Sequence, residues 1–169
     1  KYHVKGSVVS AVDLIKGIGI CAGLNSIDVE GATGTVHTNF EGKAQAAIDA
    51  LKNGSDFVYV HLEAPDECGH QHDIDNKVRS IELIDEKIIA PIMNAMKEAG
   101  EDFSIMVLPD HPTPLNLRTH TSDPVPFALY RSNAPQQNGV TAYNERTAES
   151  TGVYVEQGYQ LMGMLISES

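Results

Sequence analysis

Cysteine is scarce in this chain. Cys21 and Cys68 are the only two, and no C-x-x-C spacing joins them. That excludes a disulfide framework and fits a reducing compartment, so a cytoplasmic location is expected. Bases are also few, 12 against 23 acids, for a formal net charge of −11. A surface of that sign argues against nucleic acid or an anionic membrane as partner. It leaves an anionic substrate open, because a bound metal ion can reverse the local field. No apolar run reaches the length of a membrane span, and no secretory signal pattern is present. Gly31-Ala32-Thr33-Gly34-Thr35 lacks the Gly-Lys-Ser/Thr ending of a phosphate-binding P-loop, so its glycines read as a tight turn. There is no initiating Met before Lys1. Processing of the start and excision from a longer protein are both open readings of that.

What is present suits one domain with a real core. Ser7 to Val9 reads as a strand, and Ser10 as the N-cap of a helix over Ala11 to Lys16. Ile27 to Val29 is a second candidate strand. Lys43 to Lys52 is helical in period, with Ala44, Ala47, Ile48 and Leu51 on one face, and Asn53-Gly54 stops it. Phe57 to Leu62 is a continuous β-rich run, read as a strand buried on both faces. A long helix follows from Ile74 to Lys97, carried by Val78, Ile81, Ile84, Ile88, Ile92 and Met96. Pro91 should kink it, and Gly100 should close it. Phe103 to Leu108 and Phe127 to Tyr130 are further strands, residues 131–149 a polar loop, and Gly158 to Ile166 a last helix. Alternating strands and helices predict an α/β fold with a largely parallel sheet. The long helix between Phe57–Leu62 and Phe103–Leu108 favours placing those two as parallel neighbours.

The chemistry collects where strands end. Asp66 and His70 lie four apart, on one side of a helical turn, directly after the third strand. Asp110-His111 follows the fourth strand, and His120 precedes the fifth. In open α/β sheets the carboxyl ends of strands are where ligands bind. A mixed carboxylate and imidazole set suits zinc, manganese, iron or cobalt better than calcium. His72 reads as a neighbour of the site or a solvated residue, and His61 as a satisfied core histidine. Cys68 reads as a packed small residue, and Glu67 as a solvated or supporting acid. Lys16 and Lys43 are the candidates for holding a phosphate.

Four stretches together resemble cofactor-independent phosphoglycerate mutase. They are Ser7-Val8-Val9-Ser10-Ala11-Val12-Asp13-Leu14-Ile15-Lys16-Gly17-Ile18-Gly19, Gly31-Ala32-Thr33-Gly34, His61-Leu62-Glu63-Ala64-Pro65-Asp66-Glu67-Cys68-Gly69-His70 and Leu108-Pro109-Asp110-His111-Pro112-Thr113-Pro114. The likeness is nearer to the branch first described in archaea, within the alkaline phosphatase superfamily, and runs from about Gly6 to Arg131. It implies a three-layer α/β/α fold and two divalent ions, manganese, zinc or magnesium. Asp66, His70 and His120 match the ligands of one ion, and Asp110 and His111 match two ligands of the other. Lys16 roughly matches a phosphate-contacting lysine. The family's remaining aspartate ligand, its nucleophilic serine and its inserted domain of substrate-binding arginines have no counterpart here. The resemblance therefore implies residues 1–169 as a C-terminal portion, partnered by the missing N-terminal part. The substrate implied is a phosphoglycerate, passing through a phosphoserine. A related phosphatase or phosphonate hydrolase, or a metal-stabilised domain without catalysis, are the competing readings.

Overall fold

A computed structural model describes residues 2–167. Its centre is a parallel three-stranded sheet in the order β2-β1-β3. The strands are β1 (Gly6–Val9), β2 (Asn25–Ile27) and β3 (Phe57–Val60). Val8 pairs with Ser26 on one side and Tyr59 on the other. His61 N–H continues the ladder by donating to the Val9 carbonyl at 2.9 Å. Helix α1 (Asp13–Cys21) connects β1 to β2, and α2 (Phe40–Lys52) connects β2 to β3. These connections run in opposite directions across the sheet. Right-handed crossovers then set the two helices on opposite faces, and a crevice opens at the carboxyl ends of β1 and β3.

Helix α1 starts later than the sequence suggests. Its N-cap position is Val12, and Ser10 makes no cap. The Ser10 hydroxyl instead accepts from Val12 N–H at 3.0 Å and turns toward β3. Gly17 and Gly19 do not break the helix. At Gly19 a β-carbon would stand 2.6 Å from Val8 Cγ1, so this glycine lets α1 press directly on β1. The second strand falls two residues earlier than Ile27–Val29. Helix α2 gains a turn at its start because Asn39 caps it, accepting from Gly42 N–H at 2.8 Å. Phe40 and Ala44 of α2 form a core with Ile88, and Val60, Leu62, Leu83, Ile84 and Ile92 pack around it.

After β3 come α3 (Ala64–Gln71), α4 (Ile74–Ile84), a π-helical turn (Asp85–Ile89) and α5 (Ala90–Ala99). The irregularity expected at Pro91 takes the form of this wide turn, in which Ala90 N–H reaches back five residues to Asp85. Proline has no N–H to offer the preceding turn, and a π turn is one way to absorb that. It also shifts the apolar faces. Ile88 and Met96 are buried, but Val78 and Ile81 are half exposed on α4, where Ser80 faces inward instead. Gly100 ends α5 at φ 70°.

The expected pairing of the third and fourth strands is not found. Strand β4 (Ser104–Val107) pairs antiparallel with β5 (Ala128–Arg131) in a second sheet, and β3 pairs only with β1. Tyr59 is 39% exposed, so β3 is an edge strand of its sheet rather than a doubly covered one. An apolar run reports burial, not which strand lies alongside. The polar stretch 131–149 contains a helix, α6 (Glu145–Ser150), capped by Asn144. The last helix is a short 3-10 turn at Gly158–Gln160 followed by α7 (Leu161–Ile166), whose side chains are half-buried.

Candidate metal centre

Helix α3 begins immediately beyond the end of β3. Pro65 sits in its first turn, where the missing N–H costs nothing. Asp66 follows in that turn and His70 in the last, so both project from one side. His72 ends the helix in the left-handed region at φ 58°, and Asp73 then caps α4 through Asn76 N–H at 3.1 Å.

The segment after β4 folds back over α3. Thr121 N–H donates to the Pro112 carbonyl at 3.1 Å, which closes residues 112–121 into a loop. Within it, Leu117 and Arg118 N–H both donate to Pro114, and Arg118 takes φ 56°. This closure carries His120 to the open side of Asp66 and His70. His120 Nε2 lies 3.2 Å from an Asp66 oxygen and 3.1 Å from His70 Nε2. His70 Nε2 is 3.4 Å from the other Asp66 oxygen. The three ligand atoms lie within 4.8 Å of one another, the one such cluster among the described residues. Asp66 and His70 are half-buried and His120 is exposed, so the cluster opens outward on one side.

The donor set fits a divalent ion. His70 Nδ1 stands 2.9 Å from the Arg118 carbonyl, which can only accept. The proton therefore sits on Nδ1, and Nε2 turns a lone pair toward Asp66 and His120. Two imidazole nitrogens 3.1 Å apart beside one carboxylate converge on a point, a donor set that suits a nitrogen and oxygen metal site.

Asp110 and His111 stand next to this cluster. The His111 ring lies on that of His120 with centroids 3.7 Å apart, and His111 Nε2 is 3.5 Å from Asp110. The pair has no third ligand among the described residues. Lys16 sits apart on α1, ion-paired to Asp28 at 2.7 Å. Lys43 is buried, donates to the His61 carbonyl at 3.3 Å, and has its ammonium pKa pushed down by burial. Burial raises the Glu63 carboxyl too, helped by Glu67 and Asp66. His72 anchors the loop by donating Nδ1–H to the Leu115 carbonyl. Cys68 is buried, and burial pushes its thiol pKa up, as suits a packed residue. His61 meets Ser10 at 3.1 Å and is half-buried, so it is hydrogen-bonded as expected but not a core residue.

Two supporting residues escaped sequence reasoning. Thr113 is 5% exposed, and its hydroxyl donates to Asp66 while standing 3.4 Å from His111 Nδ1. Its position between Pro112 and Pro114, just after the Asp110-His111 pair, was the available signal. Lys77 donates to the Pro65 carbonyl at 2.8 Å and the Thr113 carbonyl at 3.1 Å, and nothing local in the sequence marks it.

A strand-end cluster of Asp and His on an α/β sheet suits a metal-binding domain. The chain belongs to the metalloenzyme superfamily, whose family model matches residues 1–157. Its curated relatives are named 2,3-bisphosphoglycerate-independent phosphoglycerate mutase. The protein of that name from Methanosarcina mazei is 50% identical over 165 residues, 98% of this chain and 41% of the relative. A probable one from Geobacter sulfurreducens is 49% identical over 166 residues, again 98% of this chain and 41% of the relative. The chain thus spans less than half the length of these relatives. Among solved structures, the PH0037 protein of Pyrococcus horikoshii superposes with a TM-score of 0.88 at 29% identity, covering 99% of this chain and 51% of that one. The cofactor-independent phosphoglycerate mutase of Thermoplasma acidophilum shares the fold at a TM-score of 0.57 and 20% identity, over 98% of this chain and 36% of that one.

Proposed function

We propose that this chain is the metal-holding part of a cofactor-independent phosphoglycerate mutase, which interconverts 3- and 2-phosphoglycerate through a phosphoserine. The observation that carries the reading is the convergence of Asp66, His70 and His120 from two separate segments onto one point. Asp66, His70 and His120 would hold one divalent ion, and Asp110 and His111 would contribute to a second. Manganese, zinc and magnesium are the candidates. Such an ion supplies electrostatic stabilisation of phosphoryl oxygens and eases ionisation of a hydroxyl.

The chain's own residues do the rest of what can be assigned. Thr113 fixes the Asp66 carboxylate, and the Arg118 carbonyl fixes the His70 tautomer. Lys16 would meet phosphate only by releasing Asp28. The serine nucleophile, a further aspartate and the arginine clamp belong, in this reading, to the rest of a longer polypeptide. The open edges of β3 and β4 suit a strand from that part. Both strands lead into the site, β3 into α3 with Asp66 and His70 and β4 into Asp110-His111.

The test is a coupled mutase assay. The full polypeptide should turn over only with added manganese, zinc or magnesium, and Asp66→Asn or His120→Ala should lower kcat by about a hundredfold or more. The 169-residue chain alone should stay at background. It lacks nucleophile and clamp, and positioning by itself can supply about 7–11 kcal/mol of barrier lowering. Release of inorganic phosphate without isomerisation would replace the mutase reading with a phosphatase. Robust turnover by the short chain would place the nucleophile within it.

A further inference from the structure

The two halves of the metal cluster arrive from distant parts of the chain. Asp66 and His70 ride on α3, while His120 sits within the loop closed by residues 112–121 and His111 just before it. Something must hold that loop against the helix, since only then do three ligands point at one place. The contact between them is close. Were Gly69 to carry a β-carbon, it would stand 2.6 Å from the Thr113 carbonyl oxygen, 2.8 Å from Thr113 Cγ2 and 2.9 Å from Lys77 Nζ. Gly69 is helical here, so its role is the room it leaves, not an unusual backbone angle.

Into that junction α4 sends Lys77. Its ammonium donates to the Pro65 carbonyl in the first turn of α3 and to the Thr113 carbonyl in the loop. The Pro65 carbonyl adjoins Asp66, and the Thr113 residue gives its hydroxyl to Asp66. We infer that Lys77 is a positioning residue that clamps the loop bearing His120 onto the helix bearing Asp66 and His70, with Gly69 as the gap that admits the clamp. The inference rests on the reading of Asp66, His70 and His120 as metal ligands.

The chemistry favours a lysine. Two carbonyls on different segments present lone pairs to one point, and an ammonium supplies several donors there with a full charge. An apolar side chain would leave both carbonyls short of a partner in a partly buried junction. Groups that orient ligands in this indirect way usually matter for affinity about tenfold to a hundredfold. Lys77 makes these two hydrogen bonds to carbonyls and none to the three ligand side chains, although its charge also faces the Asp66 carboxylate.

The experiment uses the full polypeptide carrying this sequence, with Lys77→Met and Gly69→Ala made separately. Methionine keeps the apolar stem and removes the charge. Alanine keeps Lys77 and wedges the junction open. Manganese affinity, measured by electron paramagnetic resonance titration, should weaken about 10–100-fold in each variant. Amide exchange in the metal-free protein should speed up across residues 112–121 and stay unchanged in β1 and β3. Wild-type affinity and wild-type loop exchange in Lys77→Met would overturn the inference. So would exchange that rises equally throughout the sheet, which would make Lys77 a general packing residue. If the unmutated protein bound none of manganese, zinc and magnesium, the metal reading would fall, and loop exchange in the variants would still decide whether Lys77 is the clamp.

Discussion

The Ser10 hydroxyl and the His61 Nδ1 meet 3.1 Å apart, bridging the carboxyl ends of β1 and β3. Burial is the main influence on this imidazole and lowers its pKa from 6.5, while Asp110 pulls weakly the other way. A histidine with a lowered folded pKa favours the neutral form in the native state. Its contribution is complete above pH 6.5 and is lost as pH falls through the folded value. Denaturant unfolding of metal-free protein should therefore show stability falling below about pH 6.5, with a shallower slope in His61→Gln. Parallel pH profiles for the two proteins would show that His61 charges freely.

Thr121 gives a different kind of prediction. Its hydroxyl is buried beside His120 and finds no hydrogen-bond partner. A buried hydroxyl without a partner carries a desolvation cost of about 1–3 kcal/mol, and valine has nearly the same shape without it. Thr121→Val should then be neutral or stabilise by up to about 1 kcal/mol in thermal or urea unfolding. A clear loss of stability would mean the hydroxyl has a partner in solution.

Tyr143 ties the stretch after β5 to both strands of the second sheet. Its hydroxyl donates to the Pro126 carbonyl at 3.0 Å and approaches the Val107 carbonyl at 3.3 Å. Burial, then Glu145, pushes its phenol up to about 12. A raised pKa means the stabilisation is whole below pH 10 and fades as pH climbs through about 12. Ultraviolet difference titration should show a late phenol near pH 12 that Tyr143→Phe lacks, while Tyr59, also raised by burial, remains in both. That variant should lose about 0.5–1 kcal/mol at neutral pH. Six phenols titrating together near pH 10 would contradict it.

Local chemistry made much of this legible. Asn53-Gly54 and Gly100 end their helices as the sequence suggests, with Gly54 at φ 93° and Gly100 at φ 70°. The four-residue spacing of Asp66 and His70 placed both on one side of a helix before any coordinates. His120 was joined to that pair by the family resemblance, since no local spacing links it to Asp66 and His70. What failed needed knowledge of neighbours. The apolar run of β4 could not reveal that its partner is β5, nor that β3 keeps an open edge. Val78 and Ile81 fit a helical stripe, but only its later members Ile84, Ile88 and Ile92 reach the core, and the first two stay half exposed. Lys77 was invisible for the same reason, since its partners lie 12 and 36 residues away.

The π turn at Asp85–Ile89 acts as a phase adjuster between two gears. Helix α5 meshes with α2 in the core, and α4 meshes with α3, which carries Asp66 and His70. One residue more or fewer in the coupling between them turns one helix by about 100° relative to the other. Trimming the turn to a regular helix would leave α5 in place and swing Lys77 off its carbonyls. The length of this turn, more than the identity of any residue in it, therefore sets the rotational timing that brings Lys77 to the Pro65 and Thr113 carbonyls. An insertion or deletion there would be read out at a site several turns away.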